Sequence, residues 1–317
     1  MRRSGFLASL GSLVLAPEAL AGDADASPAG VTIDDVGPLI AYLQAASTFE
    51  ELVEPAQFLR LRNEIVPRSF AAQGTDFSGG SSRFLKGWLA QIYPIRARMA
   101  GLRDDLLGTL AANRAVFERR FPNRLPDYTS YLSASGLQFD AVAYSRNEYR
   151  LVFGIDKLAV DEISSEHLTL VAHHEMFHLL HSATTRAFAT GLLQKSVAEA
   201  LWFEGLACYA SSLLHPRAPL EQIVGTKDAR LPGAHGMLRV QALLPVRRSA
   251  DIARLFGIED ASDSTAPLGA GYILGYELVR RHAQRTGLDP LDAALLPAAG
   301  VGGLLSAELD LLVLGTS

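Results

Sequence analysis

The sequence predicts an α+β fold that is mostly α-helical, and three observations carry that expectation. Apolar residues recur at spacings of three and four through residues 36–120 and again beyond Ile163, the period of a helix with one buried face. Between those stretches lie residues 127–132, 139–144 and 149–153, rich in Tyr, Val and Phe and separated by Ser-Ala-Ser-Gly and Ser-Arg-Asn. That is strand composition punctuated by turn chemistry. With 317 residues, 49% hydrophobic and 20% charged, the chain has the balance of a globular protein with a buried core.

Taken in order, the first 21 residues read as an address. Arg2-Arg3 precede an apolar run over residues 6–16, and Ala19-Leu20-Ala21 follow, the order of a positive region, a short hydrophobic region and a small-residue cleavage site. A secretory signal peptide cut after Ala21 is expected, and with it an exported protein, periplasmic or extracellular. The run is far shorter than the roughly 20 residues that a membrane-spanning helix needs, and no transmembrane segment is expected after cleavage. Residues 22–30 are small and polar, a flexible leader. Residues 22–120 form an N-terminal helical region, broken by a loop over residues 67–82 that holds Pro67, Gly74, Gly79 and Gly80. Phe121-Pro122-Asn123 closes it, and residues 121–317 form the second domain. There a sheet of three or four strands gives way to helices interrupted by Gly/Pro-bearing loops at residues 215–219, 225–236 and 260–267.

Charge and cysteine content exclude several functions. The formal net charge of −5 arises from 29 basic and 34 acidic side chains without a long single-sign block, so nucleic acid is not an expected partner. The single cysteine, Cys208, permits neither an intramolecular disulfide nor a cysteine-built zinc ribbon. Any metal site must draw on His and carboxylates. No pattern specifies an oligomeric state.

Such a set is present. Ser164 or Ser165 caps a helix whose first turn carries Glu166, well placed against the positive end of the helix dipole. The helix continues through His174-Glu175-Met176-Phe177-His178. At about 3.6 residues per turn the two histidines stack on one face, where both imidazoles reach one cation at about 2.0 to 2.1 Å. Glu175 lies about 100° round the helix, beside the metal without ligating it, placed to take a proton from a metal-activated water. The surrounding helix is almost wholly apolar, and two His and a Glu buried there are costly unless something pairs them.

Tetrahedral zinc then needs one more protein ligand and a water. Ser196-Val197-Ala198-Glu199 is a capping box that opens a second helix, running to Leu214 before Pro216. Glu199 has a task at that helix start. Glu204 sits among Trp202, Phe203, Leu206 and Ala207, where an unpaired carboxylate is expensive, and Gly205 beside it suits close approach to another helix. Glu204 is the candidate third ligand, with Glu199 the alternative.

His174-Glu175-x-x-His178 followed by Trp202-Phe203-Glu204-Gly205-Leu206-Ala207 resembles the gluzincin metallopeptidases. The second segment is similar to the Trp-Leu-Asn-Glu-Gly-Phe-Ala stretch of the aminopeptidase N family, whose third zinc ligand corresponds to Glu204. The 25 residues between His178 and Glu204 exceed the spacing of that family, and its Gly-Ala-Met-Glu-Asn motif is absent. The resemblance is therefore to the superfamily, in a predicted zinc protease branch. It implies a zincin, thermolysin-like catalytic domain, one zinc ion, and a peptide or protein substrate. Residues 271–279 are similar to the Tyr-x-x-Gly helix of gluzincins, which implies that Tyr272 donates a hydrogen bond to the developing oxyanion. Such a donor in a dry site lowers the barrier by about 3 kcal/mol. Tyr276, one turn later, and His235 are its rivals.

Other residues have simpler roles. His167 and His181 lie seven residues from His174, about 10 Å along the helix axis, too far to share its metal. Cys208, one turn past Glu204, is a soft ligand or a small buried thiol. The strand at residues 149–153 precedes the metal helix as the substrate-pairing edge strand does in zincins, and an extended peptide adds to such an edge.

These features together predict an exported zinc metallopeptidase, a hydrolase of gluzincin type with Glu175 as general base. The alternatives are a catalytically inactive, zinc-stabilised binding protein of the cell envelope and a zinc hydrolase of a non-peptide amide. A purely structural zinc site has no need of Glu175.

Overall fold

The computed structural model describes residues 30–73, 82–145, 148–186, 190–226, 229–258 and 264–315. The expected signal peptide, residues 1–21, and the expected leader up to residue 29 lie outside them. So do residues 74–81 of the first expected loop, which is narrower than the sequence suggested because a short helix reaches Ser69.

The N-terminal part is built from strand β1 (Thr32–Asp34) and helices α1 (Gly37–Ala45), α2 (Phe49–Leu52), α3 (Pro55–Arg60), α4 (Val66–Ser69), α5 (Ser82–Ile92) and α6 (Arg96–Arg120). Helical periodicity is realised in α5 and α6, which bury Leu85, Trp88, Leu89 and Ile92, then Met99, Leu102, Leu106, Leu110 and Phe117. β1 departs from the expectation of an all-helical region. Three residues are too few to show a two-residue alternation, and what makes Thr32-Ile33-Asp34 a strand is a distant partner, the parallel strand β2 (Thr129–Ser133).

β3 (Ala141–Tyr144) and β4 (Arg150–Gly154) complete a mixed four-stranded sheet in the order β1-β2-β4-β3. β2 and β4 are parallel, and β3 folds back antiparallel on β4. This corrects the assignment of the edge strand. β4 is paired on both sides, and β3 is the edge strand that packs against the helix carrying His174 and His178. Sequence order does not show that β3 returns to the outside of the sheet.

The remaining elements are α7 (Ile155–Val160), α8 (Ser165–Thr184), α9 (Val197–Leu214), α10 (Leu220–Ile223), α11 (Ala234–Leu243), α12 (Ser249–Leu255), α13 (Gly271–Thr286), α14 (Pro290–Ala294) and α15 (Ala298–Gly315). The caps fall where the side chains place them. Ser164 Oγ accepts the His167 N–H at 3.3 Å. At α9 Ser196 N–H donates to Glu199 at 2.7 Å while Ser196 Oγ accepts the Glu199 N–H at 3.2 Å, satisfying two orphan donors reciprocally.

One hydrophobic core runs from Val36 to Leu312 and takes in Trp88, Phe121, Phe177, Trp202 and Leu274. Within it α9 crosses α13 at a pair of glycines. A Cβ on Gly205 would lie 2.3 Å from the Gly275 carbonyl oxygen, and one on Gly275 would lie 2.6 Å from the Leu201 oxygen. The helices therefore touch backbone to backbone, which any side chain would prevent. Among the described residues α15 is the one helix long and apolar enough to cross a membrane. Here it packs on α9, α11 and α13, and its buried Glu308 pairs with Arg285 and with His282.

Candidate metal centre

α8 carries His174 and His178 one turn apart, and α9 lays Glu204 across them. The two Nε2 atoms are 3.0 Å apart, and Glu204 Oε2 is 3.2 Å from each. Donors at about 2.0 to 2.1 Å from a tetrahedral ion stand about 3.3 Å from one another, so this triangle has the size of a zinc site. Two imidazole nitrogens facing each other need a proton or a cation between them. His174 and Glu204 are 2% exposed and His178 5%, so bulk water does not meet that need. Two imidazoles and one carboxylate are a zinc donor set, and the residues fit the ion.

The neighbours fix these rings. Phe203 stacks on His178 with centroids 4.0 Å apart and planes 13° from parallel. Cys208 Sγ lies 3.8 Å from His174 Nδ1. Burial alone would push the Glu204 carboxyl up, but the His178 charge and hydrogen bonds from both imidazoles outweigh it and hold the group at about 2. Burial pulls His178 down to about 4. His174 feels the same burial, yet the Glu204 hydrogen bond and the charges of Glu175 and Glu204 turn its shift upward.

Glu175 stands beside the triangle, as its position on the helix requires. It is 2% exposed, and burial raises it to about 8 against the His174 charge and a hydrogen bond from the Ala143 N–H of β3. Asp140, wholly buried near the start of β3, adds a like charge and sits 3.7 Å from Lys157 Nζ. Tyr272 lies in the first turn of α13, which the Gly205–Gly275 crossing brings onto α9. It is 2% exposed, and its hydroxyl has no hydrogen-bond partner among the described residues. Burial, then the Glu204 charge, pushes this phenol up, which puts it within electrostatic reach of the triangle.

The other candidates go elsewhere. Glu199 is taken up by the capping box and by Arg247 at 2.6 Å. Tyr276 lies beside Tyr209 and Arg280, and His235 is exposed at the start of α11. His167 donates a hydrogen bond to the Gln222 backbone carbonyl, while His181 packs on Phe177 and Phe203.

Two features escaped the sequence. Lys195, 1% exposed, sets its ammonium 4.4 Å above the Phe203 ring and bonds to the Thr190 carbonyl. Burial lowers it to about 8 against the Glu204 charge. A lysine is ordinarily exposed, and its place just before the capping box gave no signal. His173 Nε2 donates to the Asn113 carbonyl at 3.0 Å, so its Nδ1 accepts from His215 Nε2 at 2.8 Å. That chain ties α8 to α6 and to the end of α9. It was legible only as an extra histidine before the motif.

A family model described as "Predicted Zn-dependent protease (DUF2268)" matches residues 156–301. The matched span holds the whole triangle together with Glu175 and Tyr272, and its description agrees with the donor set at the level of a zinc protease. Neither the curated proteins nor the solved structures compared with the chain include a match.

Proposed function

We propose that this protein is an exported zinc metallopeptidase of gluzincin type, its catalytic domain thermolysin-like and its substrate a peptide or protein. The observation that carries the proposal is the convergence of His174, His178 and Glu204 on one point, beside a carboxylate and a phenol that take no part in the triangle. Export rests on the order of residues 1–21.

Zinc bound by those three side chains supplies Lewis acidity, polarising a substrate carbonyl and lowering the pKa of a water. Glu175 takes the proton of the attacking water and hands it to the leaving amine. Without a cation, burial raises its carboxyl to about 8, where it would hold a proton at neutral pH; a cation bound at the triangle would oppose that rise and free the carboxylate to act as the base. Tyr272 turns its hydroxyl to the oxygen on which charge develops, where a prepositioned donor costs no reorganisation. β3 offers the free strand edge nearest α8, along which an extended peptide adds by backbone hydrogen bonds.

The Glu175→Gln variant tests the mechanism. It should retain zinc and lose peptide hydrolysis, and turnover at the wild-type rate would overturn the role of Glu175.

A second function is favoured by one observation, the enclosure of the site. With its residues 2–5% exposed, the same centre serves a zinc ion that fixes the fold of a non-catalytic cell-envelope protein. Against that stand Glu175 and the unpaired Tyr272 hydroxyl, neither of which a structural zinc requires. Hydrolysis in a peptide library, abolished by Glu175→Gln, separates the two. Turnover of cell-wall amides but not of peptides would instead identify a hydrolase of non-peptide amides.

A further inference from the structure

We infer that Cys208 is a positioning residue of the metal centre: its sulfur accepts the Nδ1 proton of His174 and so keeps the Nε2 lone pair turned into the ligand triangle. The inference rests on the zinc assignment above and concerns how the chain holds one ligand.

A neutral imidazole that gives Nε2 to a metal carries its proton on Nδ1, and an acceptor for that buried N–H strengthens the ligand and fixes its tautomer. His174 is 2% exposed, and the partner of its Nδ1 among the described residues is Cys208 Sγ at 3.8 Å. Cys208 is itself wholly buried. It follows Glu204 by one helical turn, so a single face of α9 grips the ring at both nitrogens, carboxylate on Nε2 and sulfur on Nδ1. His178 is held differently. Its Nδ1 has no hydrogen-bond partner among the described residues, and stacking on Phe203 fixes its plane instead. The Tyr272 hydroxyl is buried without a hydrogen-bond partner among the described residues, and its phenol feels both Glu204 and Cys208.

Loss of such an outer hydrogen bond typically weakens metal binding by about 10- to 100-fold. The experiment titrates zinc against a chromophoric chelator for the full chain and for Cys208→Ser, Cys208→Ala and Cys208→Val, with melting temperatures of all four in metal-free form. A hydrogen-bonding role predicts that Ser stays within about threefold of wild type, while Ala and Val, which cannot accept the proton, lose about tenfold or more. Val, branched and larger than Cys by about one methylene, fills the space that Ala leaves empty and reports on the hydrogen bond should Ala fail to fold. A packing role predicts another order, with zinc affinity following metal-free stability across the three variants. Wild-type protein that binds zinc together with an apolar variant that binds equally well would overturn the inference alone. Wild-type protein that binds no zinc would overturn the zinc assignment and the inference with it.

Discussion

Two buried carboxylates, Asp156 and Glu204, are each almost fully removed from water, yet their surroundings differ in kind. Asp156 receives the Ser135 N–H at 2.7 Å, the Ser135 hydroxyl at 3.0 Å, the Leu137 N–H at 2.9 Å and the Trp88 indole N–H at 2.9 Å. It ties the turn between β2 and β3 to α5 and is complete as it stands. Glu204 meets two imidazole nitrogens that also face each other at 3.0 Å, an arrangement that a proton or a cation between them would complete. Burial of a carboxylate therefore does not mark a functional site. A set of partners that a cation would complete does.

Five variants probe that contrast, in order of falling effect. Asp156→Ala strips a buried knot of four donors and should cost about 4 kcal/mol of stability, seen as a large drop in melting temperature that zinc does not restore. Glu204→Gln should do the reverse, leaving a fold whose melting temperature no longer responds to added zinc. Tyr272→Phe removes only a hydroxyl. It should lower kcat by about 3 kcal/mol, or roughly a hundredfold, with zinc content and melting temperature unchanged. Gly205→Ala places a methyl 2.3 Å from the Gly275 oxygen and should cost about 2 kcal/mol by forcing the helices apart, with kcat falling as Tyr272 shifts. The smallest effect belongs to a third carboxyl, Asp35. Burial, then Asp34, raises Asp35 from 3.8 to about 6, so the folded chain keeps a proton that the unfolded chain releases, and stability falls as pH rises through that window. Asp35→Asn should therefore raise the melting temperature at pH 7 and not at pH 4, by less than about 1 kcal/mol because the group is partly solvated.

What the sequence disclosed, and what it withheld, follows the range of the forces involved. Ser164 and the Ser196/Glu199 pair announced their helices because capping acts within one turn. The placement of His174, Glu175 and His178 followed from helical geometry alone. Glu204 was legible through the cost of a carboxylate among Trp202, Phe203 and Leu206, and Gly205 through its missing side chain. Contacts between distant segments were not legible. β1 exists because of β2, the edge position of β3 depends on how the hairpin with β4 turns, and Lys195 owes its burial to Phe203. The thiol of Cys208 could be read as buried, but the ring nitrogen it touches could not.

If three side chains from two helices form one zinc site, elemental analysis of the purified protein, wild type beside Glu204→Ala, will detect it. Near-stoichiometric zinc in the wild type and a large loss in the variant is the predicted result. No zinc in either protein, even after incubation with excess metal, would contradict it and leave His174, His178 and Glu204 as core residues of a protein without a metal centre.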